Sequence, residues 1–262
     1  MKNVVFAAIW TEILKIRRSK IFLITLILSV FVPLIMGFMV FIAKNPEIAR
    51  KLGILGAKAS VLNLKADWPT YLGLLNLAIV GLGLALFGFV TSWVFGREHS
   101  DHTMKDLLAL PISRSKIVSA KFAVILVWCA LLTFVFFISG MFAGAMVQIP
   151  GWTDNLFFSE LVIFLRAALL VILLCTPVAF FAGIGRGYLS PIGFVIITLM
   201  LSQFVGVLGF AQYFPWSIPL LYVSEAGDAN AQPGIISYII IILTSVLGFA
   251  GTLSWWKYAD QK

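Results

Sequence analysis

The chain has 262 residues, of which 61% are hydrophobic and only 11% are charged, and its mean hydropathy is +1.04. A soluble domain of this length would need a more highly charged surface, so the composition excludes an ordinary soluble protein and indicates an integral membrane protein. The formal net charge is +8, but basic residues in a membrane protein usually set its orientation, so we expect no nucleic acid partner.

Six apolar stretches are long enough to cross a bilayer as α-helices. A hydrocarbon core ~30 Å thick requires about 20 apolar residues in helical form. A helix also satisfies its own backbone hydrogen bonds, which lipid cannot do. We therefore predict one all-α integral membrane domain over residues 1–262, surrounded by membrane lipid, with transmembrane helices at about 21–43, 71–95, 122–148, 161–184, 189–211 and 235–256.

Residues 1–20, ahead of the first span, are predicted to form an amphipathic helix at the membrane interface. Apolar side chains, including Phe6 and Trp10, fall near one face, whereas Glu12 and Lys15 lie on the other. Such a helix would lie in the headgroup layer and lead into the first span. Two roles stay open for it, a simple membrane anchor and a docking element for a partner.

The distribution of basic residues predicts that both termini lie in the cytoplasm. Most of the 19 lysines and arginines fall in the N-terminal segment, in residues 96–121 and in the C-terminal tail, which all lie inside in that orientation. The predicted outer loop at residues 44–70 is also basic, yet the reverse orientation would leave more positive charge outside.

Residues 96–121 join the second and third spans and hold both histidines of the chain. The candidate zinc ligands in this segment are Glu98, His99, Asp101 and His102. Histidines three residues apart share a helix face, but a closed zinc site needs three or four ligands in tetrahedral geometry, and these four lie within one short stretch. A solvated polar turn is the favoured interpretation, and we expect no metal.

Few polar side chains lie inside the predicted spans. Arg166 stands near one end of the fourth span, so it is either an arginine that reaches the interface or a contact for a substrate. Asn76 and Gln203 are neutral and typical of hydrogen bonds between helices, with a substrate pathway as the alternative. The spans hold no chain of acidic residues for proton coupling, so uphill transport would need energy from a partner.

Residues 213–233, just before the last span, form a segment that is too long for a turn and too apolar for an exposed loop. The segment also contains three prolines, which break regular helices. We predict short helices that are partly embedded in the outer leaflet, as a re-entrant segment.

The sequence carries no motif for nucleotide binding or hydrolysis. A P-loop requires GxxxxGK[ST], and the stretch GILGAKAS around Gly53 has the wrong spacing. The metalloprotease motif HExxH and the hydrolase motif GxSxG are also absent. We therefore predict no cofactor in this chain and no enzymatic activity of its own.

The segment between the second and third spans does carry a recognisable order of residues. That order is Arg97-Glu98, Thr103, Leu107-Leu108, Pro111, Ser113-Arg114, Ile117 and Lys121. It resembles the cytoplasmic segment in permease subunits of type-two ABC exporters. His102 stands where that family usually has glycine before the threonine. The amphipathic first helix, the six spans and the apolar segment before the last span also fit, so the resemblance covers nearly the whole chain.

The resemblance implies a transport mechanism in a bacterial plasma membrane. Two permeases, either two copies of this chain or two homologous chains, would form one pathway. Two separate ABC ATP-binding subunits would attach from the cytoplasm and would bind ATP and Mg²⁺. Residues 96–121 would then dock on the ATPase as a coupling helix. The residues assigned to coupling are Glu98, Thr103, Asp106, Leu107, Leu108, Pro111, Ser113 and Arg114.

The local chemistry of this segment suits a coupling helix. Pro111 would end the helix, and Ser113 would cap the next one. Arg114 would form charge-assisted contacts with Glu98 or with the ATPase. The short chain without a fused ATPase looks most like bacitracin- and lantibiotic-type export or immunity permeases, which implies a peptide antibiotic or another amphipathic substrate.

Two other functions remain as alternatives to the exporter permease. One is an integral membrane enzyme that uses Glu98, His99 and His102, in which case alanine at both histidines abolishes activity. The other is a stand-alone secondary transporter or channel. In liposomes without ATP, this chain alone would then transport its substrate, driven by an ion gradient.

Overall fold

The computed structural model of the protein describes residues 2–45, 65–104, 107, 112–224 and 233–258, with side chains from Phe6 onward. Its described segments are helical, and a short 3-10 turn lies between the seventh and eighth helices. The helices are α1 (Lys2–Arg17), α2 (Lys20–Lys44), α3 (Trp68–Ser100), α4 (Arg114–Val147), α5 (Asp154–Leu174), α6 (Thr176–Ile184), α7 (Leu189–Val207), α8 (Ile218–Ser224) and α9 (Ile235–Tyr258).

These helices confirm the predicted all-α membrane class. Six segments are long and apolar enough to cross a membrane, namely α2, α3, α4, α5 together with α6, α7 and α9. The described parts of the chain contain no β-strand. The N-terminal helix α1 precedes the first of these spans, as predicted.

The central helix of the bundle is α3. It contacts α2, α4, α5, α6, α7 and α8, and 56% of its most apolar stretch is buried, against 22% for α7. Tyr71, Phe87 and Phe95 along α3 are fully buried in the core. The position of α3 therefore determines where the polar residues at its C-terminal end, including Glu98, are placed.

Close contact between α3 and α4 depends on two glycines of α4. A Cβ atom on Gly140 would lie 2.7 Å from the Leu75 side chain, and one on Gly144 would lie 2.6 Å from the Trp68 ring. Both distances are shorter than real Cβ contacts allow, so the two helices approach more closely than larger residues would permit.

The helices on either side of residues 96–121 extend past the predicted spans. Helix α3 continues to Ser100, and α4 already begins at Arg114, so the connection between them is residues 101–113. Hydropathy predicts where an apolar span ends, whereas a helix can continue beyond that point because its hydrogen bonds are formed within its own backbone. Helical structure therefore extends into both ends of the predicted inner segment.

The fourth span is divided into α5 and α6 by a break at Cys175. Pro177 lies in the first turn of α6, where its missing N–H is tolerated. The Thr176 hydroxyl contacts two backbone oxygens, those of Leu173 and Ser245, each at 2.9 Å. The break is thus stabilised by contacts with its own helix and with α9.

Part of the predicted outer re-entrant segment is helical, since residues 218–224 form α8. The Ser217 hydroxyl donates to the Ser202 carbonyl oxygen at 3.0 Å, which ties α8 to α7. Residues 225–232 and residues 46–64 of the predicted outer loop lie outside the described residues. The embedding of this segment in the outer leaflet stays a prediction.

Candidate functional site

A buried ion network lies where α1, the end of α3 and the start of α4 meet. Lys121 is at its centre and has no exposed surface. Its ammonium nitrogen lies 2.7 Å from Glu98 Oε1, 2.8 Å from the Val94 carbonyl oxygen and 3.2 Å from Glu12 Oε2. All three contacts are within hydrogen-bond distance, so the ammonium can donate its three protons.

Lys15 completes this network. Its ammonium nitrogen is 2.7 Å from Glu12 Oε1 and 3.1 Å from Glu98 Oε1. Two carboxylates and two ammonium groups therefore balance in charge, which makes their burial tolerable. Burial alone lowers the pKa of Lys15, but the carboxylates of Glu12 and Glu98 outweigh burial and raise that pKa above its ordinary value.

The position of Glu12 differs from the sequence-based expectation. The amphipathic pattern placed Glu12 on the polar, solvated face of α1, but its exposed fraction is only 6%. Helix α1 packs against α4, and the pairing of Glu12 with Lys121 outweighs its preference for water. Three helices are thus held together by one ionic cluster.

Two buried polar atoms beside the network have no hydrogen-bond partner among the described residues. They are Glu98 Oε2 and His99 Nε2. Buried polar atoms are normally hydrogen-bonded, in many cases to water or to a partner. The Glu98 carboxylate oxygen can accept one more hydrogen bond, and the His99 ring nitrogen can accept or donate one, at this end of the bundle, which we call the Glu98 end.

The structure does not bring together the four candidate zinc ligands. Glu98 faces Lys121, whereas Asp101 pairs with Arg97 at 3.2 Å. His102 is exposed and begins the turn out of the helix. Within the described ranges, no group of three or more histidine, cysteine, aspartate or glutamate side chains could hold a metal ion.

His102 adopts a left-handed backbone conformation in the turn after α3. Its φ angle is 56°, in the left-handed region that glycine adopts at little cost. A glycine at this position, as in the family that the segment resembles, would fit the same turn. The histidine therefore preserves the turn geometry at a modest energetic cost.

The first part of the predicted coupling segment packs against the helix bundle. The Thr103 N–H donates to the Glu98 carbonyl oxygen at 3.0 Å, and the Leu107 N–H donates to the Thr103 carbonyl oxygen at 3.0 Å. Met104 is buried in the core, and Leu107 is half-buried against it. The remaining predicted coupling residues of this stretch, Asp106, Leu108 and Pro111, lie outside the described residues.

The second part of the predicted coupling segment forms hydrogen bonds with the last helix, α9. Ser113 occupies the cap position of α4, but its side chain makes no capping hydrogen bond. Arg114 Nη1 donates to the carbonyl oxygens of Trp256 at 3.1 Å and Lys257 at 3.3 Å. Glu98 pairs with lysines and does not pair with Arg114, because the guanidinium instead binds the negative end of α9.

The three residues proposed for a substrate pathway are distributed over separate helices. Asn76 is buried on α3 and donates from Nδ2 to Glu160 Oε2 at 2.6 Å. Arg166 is exposed on α5, and Gln203 is exposed on α7 beside a cleft of about 400 Å³. No hydrogen bond joins any two of these three residues in the described chain, so the pathway assignment stays a prediction.

Sequence reasoning missed Glu12 and Lys15 as members of the site and treated Lys121 only as the start of a span. One signal in the sequence marks Lys121, because Ile117 and Val124 continue the apolar pattern of α4 on either side of it. A charge within an apolar helix face requires a buried partner, and Glu98 is the acidic residue that lies within α3.

The fold and this site define a multi-pass membrane protein in which buried charges join the end of α3 to the start of α4. A family model described as ABC-2 family transporter protein matches residues 8–202, which is more than half of the chain. The chain is also 31% identical over 187 residues to the bacitracin transport permease protein BCRB of Bacillus licheniformis, an alignment that covers 71% of this chain and 89% of that protein. The chain belongs to the ABC-2 family of transporter proteins.

Membership of this family confirms the resemblance seen in the sequence and gives the chain a role in transport. It is a permease subunit of an ABC transporter, and its six apolar helices are those of a multi-pass membrane protein. Glu98 and Lys121, two of the residues that carry the resemblance, are in direct contact at the Glu98 end.

Proposed function

We propose that this chain is the membrane-spanning subunit of an ATP-driven exporter that works with a separate ATP-binding subunit. Two permeases, this chain with a second copy or with a homologous chain, form the translocation pathway. ATP and Mg²⁺ bind to the partner subunits. The chain lies in a bacterial plasma membrane with both termini in the cytoplasm, which places the Glu98 end next to the ATPase.

The observation that carries this proposal is the ion network of Glu12, Lys15, Glu98 and Lys121. Glu98 lies just before residues 101–113, and Lys121 lies two turns after them. Both are buried and in direct contact at 2.7 Å. A displacement of the segment by the ATPase therefore acts on α1, α3 and α4 together, because these charges cannot separate without losing their partners.

The contact of Arg114 with the end of α9 extends the same connection to the last span. The charged hydrogen bonds at 3.1 and 3.3 Å join the start of α4 to the C-terminal turn of α9. The ATPase pair would favour one arrangement of these helices when ATP is bound and another when it is not. This difference in affinity for the two arrangements supplies the work of transport.

We propose a peptide antibiotic or a similar amphipathic compound as the substrate. The support is the name of the relative from Bacillus licheniformis, a bacitracin transport permease, together with its 31% identity. The cleft beside Gln203 lies at the end of the bundle opposite the Glu98 end. Its lining suits the chemistry of such a compound, because it combines serine and glutamine side chains with leucines. Arg166, Asn76 and Gln203 remain the candidates for the pathway.

The test is purification of the tagged chain from its native host in a mild detergent, followed by mass spectrometry of the proteins that remain bound. We expect a soluble protein with a P-loop in stoichiometric amount, and either one permease mass or two. Recovery of the chain alone after gentle cross-linking would contradict the proposal. Substrate movement by the purified chain in ATP-free liposomes would instead establish the secondary transporter.

A further inference from the structure

A basic cleft lies between the α1–α2 junction and the end of α3. Its volume is about 410 Å³, and polar groups make up most of its lining. Three cationic side chains, Lys15, Arg18 and Arg97, line it together with one carboxylate, Asp101. Because Glu12 and Glu98 balance Lys15, the positive excess of the cleft comes from Arg18 and Arg97 against Asp101, and its chemistry suits an anion.

The cations of this cleft differ in how they are held. Arg97 is fixed, because its guanidinium lies 5.1 Å from the centre of the Trp93 ring and 3.2 Å from the Asp101 carboxylate. Arg18 is exposed, so its guanidinium can turn towards a ligand. Ser19 also lines the cleft and caps the N-terminus of α2, whose dipole adds positive potential.

A second, apolar groove lies further along α2 and α3, beyond the basic cleft. It has a volume of about 360 Å³ and a lining that is almost wholly apolar. On α2 it runs from Ile24 to Val32, which corresponds to about 12 Å of helix. It begins one to two turns from the cleft, since Ile24 follows Ser19 on α2 and Phe89 precedes Trp93 on α3.

We propose that the cleft and the groove together bind one anionic phospholipid. The phosphate of its headgroup would lie between Arg18 and Arg97, and one acyl chain would lie along α2 and α3 in the groove. Trp93 and Tyr188 line the cleft, and aromatic side chains of this kind favour the membrane interface. A free phosphate would explain the cations, but only a lipid explains the adjoining apolar groove.

The proposed lipid site adds a function to the Glu98 end. Lys15 belongs to both the cleft and the ion network, so the lipid would contact the network directly. The assignment of the lipid to the cytoplasmic leaflet rests on the orientation in the proposed function. Binding itself does not depend on that orientation, on the ATPase or on transport.

The test measures lipid retention by native mass spectrometry on the purified full chain in a neutral detergent. Phosphatidylglycerol and phosphatidylcholine with identical acyl chains are compared, with glycerol phosphate as a competitor. We expect the wild-type chain to prefer phosphatidylglycerol, and the double variant Arg18→Gln/Arg97→Gln to lose about 30-fold in affinity for it, as expected from two charges near a membrane surface. The matched control is Arg17→Gln, an exposed arginine that does not line the cleft.

A second pair of variants tests the groove. Ala85→Phe fills the groove and should lower the retention of both lipids, whereas Ala130→Phe, exposed on α4 outside the groove, should not. Asp101→Asn removes the carboxylate that competes for Arg97 and should raise phosphatidylglycerol binding, a gain that a misfolded chain cannot show. Equal retention by the double variant and Arg17→Gln, or full displacement of lipid by glycerol phosphate at equal concentration, would overturn the proposal.

Discussion

Lys121 is a buried cation whose loss should be costly. Replacing it by Met leaves Glu12 and Glu98 buried with only Lys15 to balance them. We expect Lys121→Met to destabilise the protein by about 3–5 kcal/mol, the range for breaking a buried ion pair. The measurement is the apparent melting temperature in detergent. Lys116→Met on the same helix, which removes no ion pair of the described chain, should change stability by only about 0.5 kcal/mol.

Lys15 gives a prediction about pH. The pKa of Lys15 is raised above its ordinary value of 10.5, because the pull of Glu12 and Glu98 exceeds the opposing effect of burial. A group whose pKa is higher in the folded state stabilises fully below the unfolded pKa and loses this effect as pH rises through the folded pKa. The difference in melting temperature between wild type and Lys15→Met should therefore stay constant from about pH 6 to 9 and shrink only at higher pH. A difference that changes near pH 7 would contradict this assignment.

At the residue scale, the sequence revealed the chemistry of this site only in part. The order of residues from Glu98 to Lys121 was visible, because these residues are close in the chain. The partners of Glu98 were not, since Lys15 lies 83 residues away and meets it only through the packing of α1. The contact of Arg114 with Trp256 spans 142 residues and could not be read from any local pattern.

Helix packing makes a prediction about two glycines. A Cβ atom on Gly248 of α9 would lie 2.5 Å from the Pro177 nitrogen and 2.8 Å from the Thr176 carbonyl carbon, both of which are backbone atoms of α6. Gly248→Ala must therefore push α9 away from α6, and we expect a loss of about 1–3 kcal/mol in stability. The control is Gly206→Ala on α7, where a Cβ atom meets nothing within 4 Å. It should be neutral or stabilise by up to about 1 kcal/mol.

The outcome is again read from melting temperatures in detergent. A Gly248→Ala protein as stable as the Gly206→Ala protein would show that α6 and α9 can separate freely. The pair is informative because both substitutions remove the same backbone freedom and differ only in the space around the new methyl group.

At the scale of helices, hydropathy predicted the number and order of the spans but did not predict the residues at which the helices end. The apolar pattern stops near Phe95, but α3 continues to Ser100 because its backbone hydrogen bonds need no lipid. The break at Cys175 lies two residues before Pro177, and a proline inside an apolar span removes a helical hydrogen bond and distorts the helix. Its stabilisation by the Thr176–Ser245 contact depends on α9 and is a tertiary effect.

At the scale of the whole molecule, Arg114 should transmit movement between the coupling segment and the last span. Arg114→Glu places a negative charge against the carbonyl end of α9, where the wild-type guanidinium donates hydrogen bonds. In the reconstituted complex with its ATPase, we expect transport per ATP hydrolysed to fall about tenfold, the effect of losing roughly 1.5 kcal/mol. His102→Gly is the control, because the φ angle of 56° suits glycine, and it should leave coupling intact. Unchanged coupling in Arg114→Glu would refute this role.

The last prediction concerns the second permease. Only 22% of the apolar stretch of α7 is buried within the chain, less than in any other of the six spans. If two permeases form one pathway, α7 has the most surface left to contact the second one. Met200 on α7 is 58% exposed, so Met200→Cys should form a disulfide between two permeases in native membranes under mild oxidation. The two native cysteines, Cys129 and Cys175, are buried and should not compete.

The control for this cross-link is Val127→Cys on α4, which is equally accessible at 63% exposure. Its product should remain monomeric, because Val127 lies on α4, outside the α7 face through which the two permeases are expected to pair. A Met200→Cys product of twice 28.9 kDa indicates two copies of this chain in contact through α7. Cross-linking of both variants to the same extent would point to random collision and contradict a pairing through α7. The absence of any product from Met200→Cys in membranes that contain the ATPase would require a different face for the dimer.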